Sequence, residues 1–326
     1  MAKHTTFKIG GPVDYFVIVD SANGPGPTDS TNNLVQLLKY LDGEGMPYFI
    51  VGSGSNMLVR DEGFRGVAIQ CKMQNAKCSG ETIEAESGCI TVEIARLSMK
   101  AGLTGFEWGV GVPGTIGGAV RGNAGAMGGE MKDVVSEVEI YRNGEMEKLS
   151  NKDCEFGYRD SVFKHQGGVV LRVTLQLAKS DPSTAAQGNA LGIKKALEHI
   201  QYRNKTQPQG HASIGCIFKN FQIGLQTTDY RLQQPPPVLP LQGGGLEGVI
   251  PKEFITEGKV PAGWFVEQSG MKGVKVGQAQ VSERHGNFIV NLGGATAQDV
   301  QTLVEQIKQK VYDTYGVELE EEIQII

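Results

Sequence analysis

The chain has 326 residues, of which 21% are charged and 40% hydrophobic, and its net charge is −5. Since most domains contain about 100–200 residues, this length predicts two or three domains. An acidic chain lacks the basic surface of general nucleic-acid binding, and its five cysteines have no CxxC spacing for zinc or a disulfide framework. We therefore expect no nucleic-acid partner and no bound metal. The N-terminus has no apolar signal-peptide core and no apolar run could span a membrane, so we expect a cytoplasmic protein without membrane insertion.

The first elements follow the order strand, helix, strand. The segment DYFVIVDS, which starts at Asp14, is β-branched and aromatic, as is typical of a strand. Leu34, Leu37, Leu38 and Leu41 then follow at helical spacing. The segment PYFIVGSGSN predicts a second strand that ends in a glycine-rich turn.

The middle of the chain predicts mixed elements. ITVEIARLSMKAG is helical, Asn143-Gly144 indicates a hairpin within VEIYRNGEMEKLS, GGVVLRVTLQLA is a strand, and LGIKKALEHIQYR is a helix. Residues 221–260 are rich in proline and glycine and poorly periodic, which favours a peripheral insertion with at most two strands. At the C-terminus, Thr296 caps a predicted helix that Gly316 ends, and VELEEEIQII predicts a strand.

The 45 glycines concentrate in clusters at 52–56, 109–118, 122–129 and 243–245. Such clusters form tight turns or linkers, and for 243–245, beside QQPPPVLPLQ, we prefer a linker. GSGSN follows a strand and can present several N–H groups to a pyrophosphate, although it lacks the third glycine of the dinucleotide-binding fingerprint. The stretch VPGTIGGAVRGNAGAMGG has too many glycines for a helix and too little polarity for a linker, so we expect a second loop there. Together the two loops favour a flavin dinucleotide ligand.

Two short stretches hold candidate catalytic side chains. CEFGYRDSVFK contains Arg159, and HASIGCIFKN contains Cys216 and Lys219. Both stretches are also compatible with ordinary strand ends, in which Arg159 would form a surface ion pair. Glu322 lies in a glutamate-rich segment that is typical of a solvated face, and His285 has no second His or Cys at metal-ligand spacing. The residues alone leave these alternatives open.

Eight segments in order resemble the UDP-N-acetylenolpyruvoylglucosamine reductase (MurB) family over nearly the whole chain. They are TTFKIGGPVDYF, VGSGSNMLV, GFEWGVGVPGTIGGAVRGNAGAMGGE, FGYRDSVFK, SIGCIFKN, PAGWFVEQSGMKG, AQVSERHGNFIVN and GVELEEEI. The resemblance implies an α+β fold with a two-part FAD-binding region of the p-cresol methylhydroxylase type and a C-terminal α+β substrate domain. The expected boundaries are 1–70 and 71–204 for the two FAD-binding parts, with 317–326 returning to the first, and 205–316 for the substrate domain.

The resemblance also implies an activity. Through non-covalently bound FAD, NADPH would reduce UDP-N-acetylglucosamine enolpyruvate to UDP-N-acetylmuramate, in peptidoglycan precursor synthesis. We expect the protein to be a monomer. An alternative within the same superfamily is an FAD oxidoreductase for another alcohol or enol ether, and a further one is a non-catalytic flavin- or nucleotide-sugar-binding protein.

The family's functional residues map onto this sequence block by block. Arg159 would hold the substrate carboxylate and stabilise the enolate, Cys216 would protonate it, and Glu322 occupies the position of the C-terminal catalytic acid. The resemblance places Arg159 and Cys216 in one pocket. The expected substrate-binding residues are Tyr158, Lys219, Asn220 and Gln268. The expected FAD-binding residues are Gly52, Ser53, Gly54, Ser55, Asn56, Pro113, Gly114, Thr115, Gly117, Gly118, Asn123 and Gly125.

The sequence departs from the family pattern at three places. Cys216 replaces the usual serine, and Glu321 replaces the proline usual between the last two glutamates. About forty residues follow Asn220 where the family usually has a short link. The sequence also lacks the extra tyrosine-bearing loop of one subclass.

Overall fold

The computed structural model describes residues 1–21, 30–180, 185–223, 250–256 and 258–326. The chain forms two compact units. The larger unit comprises residues 13–54 and 64–205, and the smaller unit comprises 1–12, 55–63 and 206–326. The three-part division into 1–70, 71–204 and 205–316 stays a prediction.

A three-stranded parallel sheet begins the larger unit. Its strand order is Val13–Asp20, Phe64–Lys72, Tyr48–Val51, and the helix Ser30–Gly43 connects the two outer strands. The predicted strand, helix, strand order is therefore confirmed, but the central strand Phe64–Lys72 was not predicted. Four consecutive residues of this strand, Gly66 to Ile69, are buried and apolar, which is typical of a strand covered on both faces.

An antiparallel sheet of five strands forms the rest of the framework of the larger unit. Asn143 and Gly144 have φ of 52° and 86°, as a two-residue hairpin turn requires, so the predicted hairpin is confirmed. The sheet packs on a core that includes Phe106, Trp108 and Ile116. In order, the strands are Glu145–Ser150, Val135–Arg142, Val169–Gln176, Thr82–Glu86 and Ala76–Ser79.

Helices and short strand pairs complete the larger unit. The helices are Thr91–Lys100, Ile116–Arg121, Val162–His165 and Ala185–Thr206, with 3₁₀ turns at Glu107–Gly111 and Met131–Asp133. Leu103–Thr104 pairs with Ala178–Lys179, and Gly125–Ala126 pairs with Gly129–Glu130. The helices predicted within 90–102 and 191–203 are confirmed. The prediction of no helix in VPGTIGGAVRGNAGAMGG is wrong, because Thr115 caps the short helix Ile116–Arg121 there.

The smaller unit is built around the helix Ala297–Tyr315. Thr296 caps this helix with Asp299, and Gly316 ends it with a φ of 66°, as the sequence predicted. The helix has one buried apolar face, which consists of Val300, Leu303, Val304, Ile307 and Val311. The other elements are the helix Ala262–Gln268, the antiparallel strands Lys275–Val276, Ala279–Val281 and Ile289–Asn291, the parallel pair Met57–Leu58 and Gln324–Ile325, and 3₁₀ turns at Ala2–His4 and Lys252–Phe254.

The predicted C-terminal strand at 317–326 is wrong in extent, because only Gln324–Ile325 is a strand. Before it, the chain is extended and pairs irregularly with residues 217–219. The Lys219 N–H donates to the Glu320 carbonyl at 2.8 Å, and the Glu322 N–H donates to the Ile217 carbonyl at 2.7 Å. A single bridge, Phe218 to Glu321, lies between these bonds.

Most of the predicted insertion at 221–260 lies outside the described residues. At its ends, Phe221–Gln222 pairs antiparallel with Lys259–Val260. Within the described part of the chain, no helix combines the length and apolar character needed to cross a membrane.

Candidate active site

Two glycine-rich loops approach each other in the larger unit. A Cβ atom on Gly52 would lie 2.5 Å from the Thr115 hydroxyl oxygen, so only glycine allows this approach. On the other side, a Cβ on Gly117 would lie 2.8 Å from the Ser87 Cβ. Gly54 and Gly114 have φ of 64° and 110°, a region that glycine occupies without strain. The predicted cofactor residues at 52–54 and 114–117 are thus neighbours.

These loops suit a dinucleotide pyrophosphate. Their polar groups are backbone amides and the hydroxyls of Ser53 and Thr115, and no acidic side chain lies in Gly52–Gly54 or Pro113–Gly118. Thr115 is buried and accepts a hydrogen bond from the Gly118 N–H at 3.4 Å, which holds the start of the helix Ile116–Arg121. Pro113 and Gly118 are exposed, so the cradle has an open face. The residues present fit FAD.

The side chain of Asn123 is used inside the protein. Its Nδ2 donates to the Gly157 carbonyl at 2.7 Å and to Glu130 at 3.0 Å, while its Oδ1 accepts from the Lys132 N–H at 3.0 Å. The residue is fully buried, with a left-handed φ of 39°. The side chain therefore holds the loop against Gly157. The predicted contact of Asn123 with FAD stays a prediction.

Arg159 is attached to the same loop. Its Nη2 donates to the Gly125 carbonyl at 2.9 Å, and its guanidinium carbon lies 5.5 Å from the centre of the Tyr158 ring. Arg159 also has a left-handed φ of 54°, which is unusual for a residue other than glycine. The structure thus brings Arg159 and Tyr158 to the predicted FAD loop at Gly125.

Burial and neighbouring charges shift the pKa values of several titratable groups near Arg159. His165 Nε2 lies 2.8 Å from the Asp160 carboxylate. Burial alone would raise the pKa of Asp160, but the hydrogen bond from His165 lowers it below its usual value. Burial lowers the pKa of Arg121, and the nearby Asp160 opposes that change. Burial also raises the pKa of the Cys154 thiol to about 12, so this thiol of the first candidate stretch is unreactive at neutral pH.

In the smaller unit, Cys216 and Glu322 lie on adjoining segments. Cys216 is half-buried, follows Gly215 with φ of 85°, and forms a bridge with Phe288. The next residue, Ile217, accepts the Glu322 N–H. The Glu322 carbonyl in turn accepts from the Asn56 side chain at 3.2 Å. Three predicted site residues, Asn56, Cys216 and Glu322, are therefore joined through one hydrogen-bonded strip.

The predicted substrate residues Lys219 and Asn220 continue this strip. The Lys219 ammonium pairs with Glu320, and the Asn220 Oδ1 accepts the Ala262 N–H at 3.2 Å. Both residues line a cleft together with Phe221 and Gln222. Gln268 is exposed at the end of the helix Ala262–Gln268, and its substrate contact stays a prediction.

His285 is held by contacts within the smaller unit. Its Nδ1 accepts the Asn287 N–H at 3.2 Å, and its ring packs on Phe288 at 4.9 Å. Burial lowers the pKa of the His285 ring below its usual value, and the nearby Glu267 opposes that change. Within the described residues, no three His, Cys, Asp or Glu side chains are placed to hold a metal ion.

The predicted site residues are divided between the units. Gly52–Gly54, Tyr158 and Arg159 belong to the larger unit, whereas Ser55 and Asn56, like Cys216 and Glu322, belong to the smaller one. The single pocket expected for Arg159 and Cys216 stays a prediction. Sequence reasoning missed two supporting residues, Glu130, which accepts from Asn123, and Lys164, which donates to the Arg159 carbonyl. Lys164 is the last residue of the stretch CEFGYRDSVFK, but lysine is so often a surface residue that the sequence alone did not indicate a role for it.

Comparisons with known proteins identify the family. Residues 207–326 match the family model described as UDP-N-acetylenolpyruvoylglucosamine reductase, C-terminal domain, and residues 28–150 match an FAD binding domain. A UDP-N-acetylenolpyruvoylglucosamine reductase of Alkaliphilus oremlandii is 38% identical, over 100% of this chain and 91% of that protein. The chain belongs to the UDP-N-acetylenolpyruvoylglucosamine reductase family.

Other relatives agree with this assignment. The UDP-N-acetylenolpyruvoylglucosamine reductase of Bacillus subtilis is 34% identical, over 100% of this chain and 92% of that protein. The crystal structure of the Thermus caldophilus enzyme superposes with a TM-score of 0.72 at 29% identity, covering 99% of this chain and 96% of that one. The predicted α+β fold with an FAD-binding region is confirmed.

Proposed function

We infer that this chain is an FAD-dependent oxidoreductase that uses NADPH to reduce UDP-N-acetylglucosamine enolpyruvate to UDP-N-acetylmuramate. The observation that carries this proposal is the hydrogen bond from Arg159 to the Gly125 carbonyl, because it attaches a carboxylate-binding side chain to a predicted flavin loop. Family membership supplies the substrate class. The product is a precursor of peptidoglycan.

The two glycine loops of the larger unit would hold FAD. Gly52 and Gly117 allow close backbone approach, and Thr115 holds the start of the following helix. When bound, FAD supplies the hydride, taken from NADPH, that reduces the enolpyruvyl double bond. We propose that FAD is bound non-covalently, as the resemblance implies.

Arg159 would bind the substrate carboxylate and stabilise the negative charge that develops beside it. The planar guanidinium fork matches a carboxylate in a bidentate geometry, which a lysine ammonium does not reproduce. A donor fixed before the reaction stabilises an enolate without the cost of reorganising solvent. The hydrogen bond to the Gly125 carbonyl and the contact with the Tyr158 ring hold the Arg159 guanidinium in place.

Cys216 would hold the proton for C2 of the enolate, in place of the serine usual at this position. Glu322 would act with it, since the Glu322 amide bonds to the residue that follows Cys216. Lys219 and Asn220 would contact the substrate from the adjoining cleft. We also propose that the protein is a cytoplasmic monomer, as the resemblance implies.

The test uses the colour of the purified protein. It should be yellow, NADPH should bleach it without oxygen, and UDP-N-acetylglucosamine enolpyruvate should restore the colour. Acid denaturation should release FAD into the supernatant. A protein that never takes up FAD, or that NADPH reduces but the enolpyruvyl substrate never reoxidises, would contradict the proposal. Flavin that stays attached after denaturation would contradict non-covalent binding.

A further inference from the structure

Every residue of the turn Gly157–Asp160 is held by another group. Gly157 and Asp160 exchange backbone hydrogen bonds, and the Gly157 carbonyl also accepts from Asn123. Tyr158 lies under the Arg159 guanidinium, and the Asp160 carboxylate pairs with His165. Such constraint is needed because the left-handed backbone of Arg159 is unfavourable for a residue with a Cβ. Strained residues that the surroundings hold in place are common at functional sites.

The Arg159 peptide itself is held by a charge. The Lys164 ammonium donates to the Arg159 carbonyl at 2.6 Å, from the short helix Val162–His165 that directly follows the turn. The residue before this helix, Ser161, is 1% exposed and donates to the Arg121 carbonyl at 2.6 Å. The ammonium therefore projects from an anchored element. A charge-assisted bond is stronger than a neutral one, which suits it to a strained peptide.

We propose that Lys164 is a positioning residue for the reduction of the enolpyruvyl group. It fixes the left-handed Arg159 peptide, and so sets the direction of the guanidinium. This inference rests on the proposed function of Arg159. Lys164 acts through Arg159, whereas a lysine that contacted a substrate phosphate would contribute mainly to substrate binding.

The half-reactions separate these roles. With FAD bound, Lys164→Met should leave flavin reduction by NADPH within about twofold of wild type and slow reoxidation by the enolpyruvyl substrate ~10- to 100-fold, the scale of a misplaced catalytic group. Lys164→Arg, which keeps a charged donor, should recover most of the rate. Lys152→Met is the matched control, because Lys152 is an exposed lysine just before the stretch CEFGYRDSVFK. It should leave both rates unchanged.

A double-mutant cycle tests whether Lys164 acts through Arg159. In an Arg159→Lys background, Lys164→Met should slow reoxidation by less than about twofold, since the side chain it positions is already gone. In FAD-free protein, Lys164→Met should also speed hydrogen exchange at the Asp160 amide, whose bond to Gly157 closes the turn. Lys164→Gln serves for both measurements if the methionine variant does not fold.

The outcomes distinguish a failure of the proposed function from a failure of the positioning role of Lys164. A wild-type protein that the enolpyruvyl substrate does not reoxidise would defeat the proposed function, whatever the variants do. If wild type turns over but Lys164→Met mainly weakens substrate binding, or its effect persists undiminished in the Arg159→Lys background, Lys164 does not position Arg159. Unchanged reoxidation in Lys164→Met would also overturn the inference.

Discussion

At the scale of single residues, Cys216 stands where the resemblance places a serine in the proposed chemistry. The thiol is half-buried, and its backbone is held by the bridge to Phe288 and by the neighbouring bond from Glu322 to Ile217. A serine hydroxyl in the same place would be positioned by the same contacts. The replacement therefore changes the acidity of the proton donor more than its location.

Cys216→Ser should remain active and lose a decline of activity at alkaline pH. A thiol ionises in the measurable alkaline range and then has no proton to give, whereas a serine hydroxyl does not ionise there. Cys216→Ala should still allow NADPH to reduce the flavin, but should slow reoxidation by the enolpyruvyl substrate ~10²–10⁴-fold, the usual contribution of general acid catalysis. Single-turnover flavin absorbance as a function of pH measures both effects.

The comparison with Cys78→Ser controls for the loss of a thiol as such. Cys78 is partly exposed on the strand Ala76–Ser79 of the larger unit and has no proposed role, so its replacement should leave the pH profile unchanged. If Cys216→Ala reoxidises at the wild-type rate, the proton comes from another group.

At the scale of elements, the proposed FAD site depends on the approach of two loops. Gly52 begins the loop that follows the strand Tyr48–Val51, and Thr115 precedes the helix Ile116–Arg121. Thr115 has little freedom to move aside, because it is 5% exposed and its hydroxyl accepts the Gly118 amide. The spacing between the loops is therefore sensitive to one added methyl group.

Gly52→Ala should weaken FAD binding about 10- to 100-fold, because the new Cβ would lie 2.5 Å from the Thr115 hydroxyl oxygen and force the loops apart. Gly43→Ala is the matched control. Gly43 ends the helix Ser30–Gly43, and a Cβ there would meet no atom within 4 Å. Titration of apoprotein with FAD, followed by quenching of flavin fluorescence, gives the two dissociation constants. Equal affinity for Gly52→Ala and wild type would place FAD away from these loops.

At the scale of the whole molecule, buried thiols link stability to pH. Burial raises the pKa of Cys71, Cys89 and Cys154 to about 12, and nearby Glu86 and Asp153 add to the rise at Cys89 and Cys154 respectively. In an unfolded chain, thiols ionise near pH ~8.5. Between these values the unfolded chain releases protons that the folded chain keeps, so stability is full below the lower value and falls as pH rises toward 12.

We expect the urea concentration at the unfolding midpoint of reduced, FAD-saturated protein to be lower at pH 10 than at pH 8. Cys71→Ala should reduce this pH dependence, because it removes one of the three buried thiols. Val67→Ala, in the same core cluster, should lower the midpoint at both pH values and leave the difference between them unchanged. If Cys71→Ala keeps the full pH dependence of wild type, ionisation of that thiol is not linked to unfolding.

Local patterns were sufficient for several elements and for the family. Thr296 and Gly316 correctly bounded the helix Ala297–Tyr315, and Asn143-Gly144 correctly marked the hairpin. In each case the signal comes from residues within one turn of the boundary, so no distant contact is needed to interpret it. The family resemblance likewise depended on short segments in a fixed order, and it named the cofactor and the reaction class.

Pairings between distant residues required the tertiary structure. Nothing near Gly125 indicates that its carbonyl accepts from Arg159, 34 residues later, and nothing near Asn56 indicates its bond to Glu322, 266 residues later. Phe64–Lys72 becomes the central strand only because two other strands flank it.

The sequence by itself therefore determined the helices Ser30–Gly43, Thr91–Lys100 and Ala297–Tyr315, the Asn143-Gly144 turn and the family, because caps, periodicity and turn residues act through neighbouring atoms. The short helices Ile116–Arg121, Val162–His165 and Ala262–Gln268 were not predicted. Only the tertiary structure decided that Gly52 faces Thr115, that Lys164 holds the Arg159 peptide, and that the C-terminal chain is a strand for two residues only. These features depend on which surfaces the core brings into contact. That choice is made by packing over the whole unit and leaves no local mark in the sequence.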